Sequence, residues 1–150
     1  MDAADEHAIR ALVYEYAYRL DAGDLEGLAA MFEHAGLGAV GIPGRARGIE
    51  GARANYSGVI IHEDGTPRTQ HVITNVTISV EGDGATGRSY FTVLQQLDDF
   101  PLQPIIAGGY HDRYGRIDGR WWFTERVFEP RLYGDLSHHM RSDWRPPERS

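Results

Sequence analysis

Cysteine is absent from the 150-residue chain. Its absence excludes disulfides, thiolate nucleophiles and every zinc or iron–sulfur site that uses sulfur ligands. Any chemistry must come from oxygen and imidazole. No run approaches the roughly 20 apolar residues that span a bilayer, so no membrane partner is expected. Basic residues are the minority: 15 Lys and Arg against 22 Asp and Glu leave a net charge of −7. That is the wrong sign for a surface that gains affinity by neutralising phosphates, so nucleic acid is not an expected partner. Internal repeats and low-complexity tracts are also missing. The opening residues Met1 to Glu6 are acidic and lead directly into an amphipathic pattern, unlike a secretory or organellar presequence, and a cytoplasmic address is expected. What the chain does hold is the length of one domain with a core and room for a ligand pocket. It also carries three Trp and eight Tyr, residues suited to lining a cavity or an oligomer interface.

From Asp5 to Leu20 the apolar residues Ile9, Leu12, Val13, Tyr16, Ala17 and Leu20 recur at three- and four-residue spacing, which predicts a first helix with one buried face. Gly23 suits the C-terminal cap of that helix and Asp24 the N-cap of a second, running through Leu28 to about Phe32. The Gly-rich stretch from Gly36 to Gly51 allows at most a short strand at Leu37–Ile42 before the Pro43-Gly44 turn. A third helix is read over Ile49–Ile61, ending at Glu63-Asp64-Gly65-Thr66-Pro67.

After Pro67 the period changes to two. Four strands are expected, at Thr69–Val80, Thr86–Leu97, Ile105–Ile117 and Arg120–Phe128, all rich in β-branched and aromatic residues. The turns at Gly82-Asp83-Gly84 and Asp118-Gly119 contain the short hairpin signal Asp-Gly, so neighbouring strands should be antiparallel. Helices followed by a meander of strands define an α+β fold. Strict alternation in the first long strand puts His71, Ile73 and Asn75 on one face and Val72, Val76, Ile78 and Val80 on the other. With neither face fully polar, a second cover is needed, and a homodimer or higher homo-oligomer is expected. The stretch from Arg141 to Ser150, with two prolines and three arginines, reads as a loose tail.

Asp21 ends the first helix just beyond its apolar stripe. By position alone it serves as well to cap the corner as to do chemistry. His71 stands near the start of the first long strand, where a single histidine is more often a hydrogen-bonded core or rim residue. Together they mean more. A carboxylate that accepts a hydrogen bond from one imidazole nitrogen fixes the tautomer and strengthens the other nitrogen as a base. Asn75 is placed to orient His71 or a substrate oxygen, and Tyr16 is the first-helix phenol on the inward stripe, unlike Tyr14 and Tyr18. Tyr110, His111 and Asp112 are consecutive in a strand and so cannot all face one site. Arg131 follows Pro130 at the end of the last strand and suits a substrate carboxylate or enolate, or an ordinary surface ion pair. His62, His111, His138 and His139 lack the spacing of known metal sites, so no metal is expected. The Gly-rich segments lack a phosphate-loop or dinucleotide pattern.

Three segments carry a resemblance. Tyr14-Glu15-Tyr16-Ala17-Tyr18-Arg19-Leu20-Asp21-Ala22-Gly23-Asp24, Arg68-Thr69-Gln70-His71-Val72-Ile73-Thr74-Asn75, and Tyr110-His111-Asp112-Arg113-Tyr114 leading to Asp118-Gly119-Arg120-Trp121 resemble the SnoaL-like branch of the nuclear transport factor 2-like superfamily. The likeness runs from about Asp5 to Tyr133. It implies a cone-shaped roll, with three N-terminal helices packed on a strongly curved, mostly antiparallel sheet that encloses a pocket. The domain would cover residues 1–135, leaving 136–150 as a C-terminal tail. The chain is similar to scytalone dehydratase, bile acid dehydratase and hexachlorocyclohexane dehydrochlorinase at Asp21 and His71. The resemblance therefore implies a cofactor-independent lyase, dehydratase-like, in which this pair removes a proton and a leaving group departs from a small apolar, polyketide- or steroid-like substrate. Tyr16 and Arg131 match the bile acid enzyme, and Asn75 the dehydrochlorinase; with Tyr110 they form the expected substrate-binding set. Leu20 stands where scytalone dehydratase has a tyrosine, and Gln95 falls near that enzyme's second pocket histidine, so scytalone is not the expected substrate. The same cone also carries isomerases, cyclases, epoxide hydrolases and non-catalytic binding modules, which remain the alternatives.

Overall fold

A computed structural model describes residues 3–141. Three helices, α1 (Ala3–Asp21), α2 (Leu25–Ala30) and α3 (Gly48–Tyr56), pack on one six-stranded sheet. The strands are β1 (Gly36–Ala39), β2 (Ala46–Arg47), β3 (Thr69–Glu81), β4 (Gly84–Leu97), β5 (Phe100–Ile117) and β6 (Arg120–Tyr133). The sheet is curved and unclosed, with order β2-β1-β6-β5-β4-β3. Every pairing is antiparallel except that of β1 with β6. The core lies between helices and sheet, with Ile9, Val13 and Leu20 of α1, Leu28 of α2 and Ala52 of α3 against Phe91, Val93, Ile105 and Phe123.

The corner after α1 places that helix against the sheet. Gly23 adopts φ +76, a conformation in which a Cβ is costly. Its Cα also packs so closely on the turn before β3 that a Cβ there would lie 2.1 Å from the Gly65 carbonyl oxygen. This contact seats the end of α1 beside the start of β3. Asp24 then caps α2, its carboxylate accepting from the Gly27 N–H at 2.9 Å.

Several boundaries differ from expectation for physical reasons. The third helix stops at Tyr56 rather than Ile61, because Val59 forms a β-bridge with Met140 and Ile60 donates its N–H to the His139 carbonyl at 2.8 Å. The fifth strand begins at Phe100, not Ile105, and runs through Pro101 and Pro104. Its partner β6 reaches only as far as Ile106, so those prolines lie on a locally free edge where no N–H is required. Gly36–Ala39 pairs with β6 in parallel, and the two-residue β2 was not anticipated.

Alternation in β3 fails at a bulge between Thr74 and Thr77, where Asn75 takes φ +55. Ile73 and, past the bulge, Val76, Ile78 and Val80 all pack against the core instead of dividing between two faces. The protein's own core thus packs against these residues, though Val72 is not among them, and leaves them partly buried. The tail read from Arg141 onward lies, beyond that residue, outside the described residues. No described helix is long and apolar enough to cross a membrane.

Candidate active site

β3 is the edge strand, so alternate backbone N–H groups have no strand partner. Asp21, at the last turn of α1, meets that need. Its Oδ2 accepts from the His71 backbone N–H at 2.7 Å, and its Oδ1 accepts from the Thr69 hydroxyl at 2.8 Å. Oδ1 also lies 2.6 Å from His71 Nδ1. An ionised carboxylate only accepts, so Nδ1 carries the proton, and in the neutral ring Nε2 then keeps the lone pair. The His71 side chain is 5% exposed and that of Asp21 21%. The carboxylate is thus held by three donors from one strand, and the imidazole cannot rotate without breaking the contact.

His71 forms part of the wall of a largely apolar cavity of about 430 Å3, together with Leu20, Phe91, Val93, Ile106 and Phe128. The volume lies within the range of about 300–1,000 Å3 usual for small-molecule sites. Phenols supply its polar side. Tyr16 and Tyr56 share a hydrogen bond at 2.8 Å, and Tyr16 meets Tyr110 edge-on with ring centroids 5.8 Å apart. All three line the cavity. Burial raises the pKa of each; the Arg126 cation acts in the opposite direction but does not outweigh it. The phenols stay protonated and can donate hydrogen bonds.

Arg126 lies beneath these rings, its guanidinium 3.7 Å from the Tyr110 centroid and 4.3 Å from that of Tyr16. It pairs with Asp112 through two hydrogen bonds, 2.8 and 2.9 Å long, and Tyr114 donates to the same carboxylate at 2.9 Å. Burial alone would lower the pKa of Arg126, but the Asp112 carboxylate, with smaller contributions from Tyr110 and Tyr16, opposes it and the net shift is upward. The cation is permanent.

Of the residues expected in the site, Asp21, His71, Tyr16 and Tyr110 come together. Asn75 and Arg131 do not join them. The bulge in β3 turns Asn75 away, and both residues line a separate outward depression with Arg88, His111 and Glu129, where the Arg131 guanidinium lies 4.7 Å from the centroid of the Tyr90 ring. Tyr56, Arg126 and His139 were not anticipated. Tyr56 reaches the cavity from the buried side of α3. Arg126 was hidden by an irregularity between Arg113 and Tyr114 in the β5–β6 register, which lets Phe123 and Arg126 both face inward. Among the described residues no cluster of three or more His, Asp or Glu is arranged to hold a metal ion.

The profile of the SnoaL-like domain family matches residues 1–127. No curated protein matches the chain. Among solved structures, a candidate scytalone dehydratase from Novosphingobium aromaticivorans is 25% identical with a TM-score of 0.70, over 88% of this chain and 87% of that one. A protein of unknown function with a cystatin-like fold from Nostoc punctiforme is 26% identical with a TM-score of 0.72, over 87% of this chain and 94% of that one. The β subunit of a candidate aromatic-ring-hydroxylating dioxygenase from N. aromaticivorans shares the fold at 19% identity and a TM-score of 0.67, over 91% and 96% of the two chains. The chain belongs to the SnoaL-like family and has the nuclear transport factor 2-like cone fold.

Proposed function

We propose that the protein is a cofactor-independent lyase, dehydratase-like, acting on a small, mostly apolar ring compound. The observation that carries this reading is the 2.6 Å contact between Asp21 and His71 at the wall of an apolar cavity. With Nδ1–H held by Asp21, His71 Nε2 takes a carbon-bound proton next to a carbonyl. The electron pair left on carbon moves into the conjugated carbonyl as an enolate. Tyr16 and Tyr110 donate to the developing oxyanion, and Arg126, stacked beneath their rings, favours negative charge there. The enolate then collapses, the β-hydroxyl takes from His71 Nε2 the proton that the imidazole removed and leaves as water, and an α,β-unsaturated ketone and the neutral base remain. The candidate scytalone dehydratase of the same fold supports a dehydratase over other lyases.

A panel of cyclic β-hydroxy ketones followed by mass for the loss of water tests the proposal. His71→Ala and Asp21→Asn should each lower turnover by about 10²–10⁴-fold, the range for positioned acid–base groups. Unchanged turnover in His71→Ala rejects the assignment. Isomerisation uses the same base without a leaving group, and its products would keep the substrate's mass. Asn75 and Arg131, displaced from the cavity, have no role in this scheme. A homodimer or higher oligomer is kept as part of the proposal, supported by the exposure of Tyr90, Leu102 and Leu132 and tested by mass in solution.

A further inference from the structure

The segment after β6 returns to the wall of the cavity, which Leu136, His139 and Met140 line, and its backbone is fastened at several points. Ile60 donates its N–H to the His139 carbonyl at 2.8 Å, and Arg141 donates to the Gly58 carbonyl at 3.0 Å. The His138 carbonyl accepts from His62 Nε2 at 2.9 Å and from Gln95 Nε2 at 3.2 Å. Gln95 itself is 1% exposed and also donates to the Pro67 carbonyl at 3.0 Å. These bonds fix the backbone on both sides of His139 without using its imidazole. That ring is 7% exposed and lines the same cavity as His71. Its Nδ1 is sealed with no hydrogen-bond partner, and its Nε2, which is not sealed, has none among the described residues.

A buried polar group with no protein partner is rare, because leaving it unpaired costs free energy that folding does not recover. The backbone contacts nevertheless hold this ring at the wall of an apolar cavity, where Nε2 is the ring nitrogen open to what the cavity takes up. We propose that His139 is a second substrate-contacting imidazole, which hydrogen-bonds a hydroxyl or carbonyl oxygen of the bound ring compound while His71 works at carbon. The chemical class of ligand is thereby narrowed to carbocyclic alcohols, phenols and ketones. Pure hydrocarbons and carboxylates fit poorly, since His139 stays neutral: burial first, and then the neighbouring His71, push its pKa down to about 4, with Asp21 opposing and His62 adding slightly. A neutral imidazole offers one donor and one acceptor, which suits an uncharged oxygen. The inference rests on the cavity being a small-molecule site, as the proposed function requires, but not on dehydration as its reaction.

The test compares 2-indanol with indane, the same skeleton with and without a hydroxyl, binding to the full chain and followed by tryptophan fluorescence and by nitrogen NMR of 15N-labelled histidine. The ratio of the two affinities should fall about tenfold in His139→Ala, because the bound hydroxyl loses its partner. His139→Gln, which keeps a donor and an acceptor, should recover most of the ratio, and its melting temperature reports whether the segment still docks. In the wild type, saturation with 2-indanol should shift the His139 ring nitrogens while indane leaves them near their free positions. An unchanged ratio in His139→Ala, an unshifted His139 resonance, or failure of the wild type to take up either compound overturns the inference. A lost ratio in a protein that dehydrates no β-hydroxy ketone would uphold His139 as a ligand contact and reject the lyase instead.

Discussion

Two carboxylates of this protein each hold a cationic or potentially cationic partner, and they do opposite things. Asp112 and Arg126 are sealed, the side chains 1% and 0% exposed, with both carboxylate oxygens and two guanidinium nitrogens engaged. Asp21 and His71 are bonded as tightly, but among the described residues His71 Nε2 has no hydrogen-bond partner, and the ring faces a cavity. A pair whose polar atoms are nearly all satisfied has little left to react with and acts as a fixed charge. A pair with one unused nitrogen beside an open volume can accept a proton from something else. The cone places the fixed charge beneath the phenols and the reactive nitrogen on the wall.

Four changes break or sharpen this contrast. The largest effect is on turnover: His71→Ala should lower it by about 10²–10⁴-fold, or roughly 3–5 kcal/mol of barrier, with only a modest loss in urea midpoint. Next, Asp112→Ala should leave the Arg126 charge unpaired in the interior and cost about 3–5 kcal/mol of stability in urea unfolding. Replacing both members by apolar residues should cost less than that single change. If Asp112→Ala unfolded no more readily than Asp21→Ala, the two pairs would not differ as described.

The third concerns His139, which is buried like Arg126 but in the cavity like His71. Its folded pKa of about 4 lies below the ordinary 6.5, so the unfolded chain binds the proton more readily. Its contribution to stability is complete above pH 6.5 and is lost as the pH falls towards about 4, by up to roughly 3 kcal/mol. His139→Gln should therefore show a flatter fall in melting temperature across that interval than the wild type. The smallest effect is expected at Thr69→Val, which removes one of three donors to Asp21 and should cost about 0.5–1.5 kcal/mol in stability.

Legibility in the sequence followed the regularity of the backbone. Apolar spacing in α1, the Gly23 and Asp24 corner and the Asp-Gly turns marked the helices and hairpins, because each acts locally. Asp21, His71, Tyr16 and Tyr110 were recoverable because each lies in a regular stretch of its element. Asn75, Arg131 and Arg126 lie at or just past breaks in period. One extra residue at Asn75 in β3 reverses the face of everything after it, and a similar irregularity before Arg126 turns a charge inward where alternation from Phe123 would put it outside. His139 was invisible for another reason. Tertiary bonds, among them those from Ile60, His62 and Gln95, hold its segment at the cavity wall, and no local pattern encodes them.

The central claim is that His71 Nε2 removes a proton from carbon inside the cavity. The most direct measurement is the exchange of the α-protons of 2-tetralone for deuterium in D2O, followed by proton NMR with wild-type protein and with His71→Ala of matched fold. The account predicts exchange well above the uncatalysed rate with the wild type and a fall to near that rate in the variant. Equal exchange by the two proteins would contradict it.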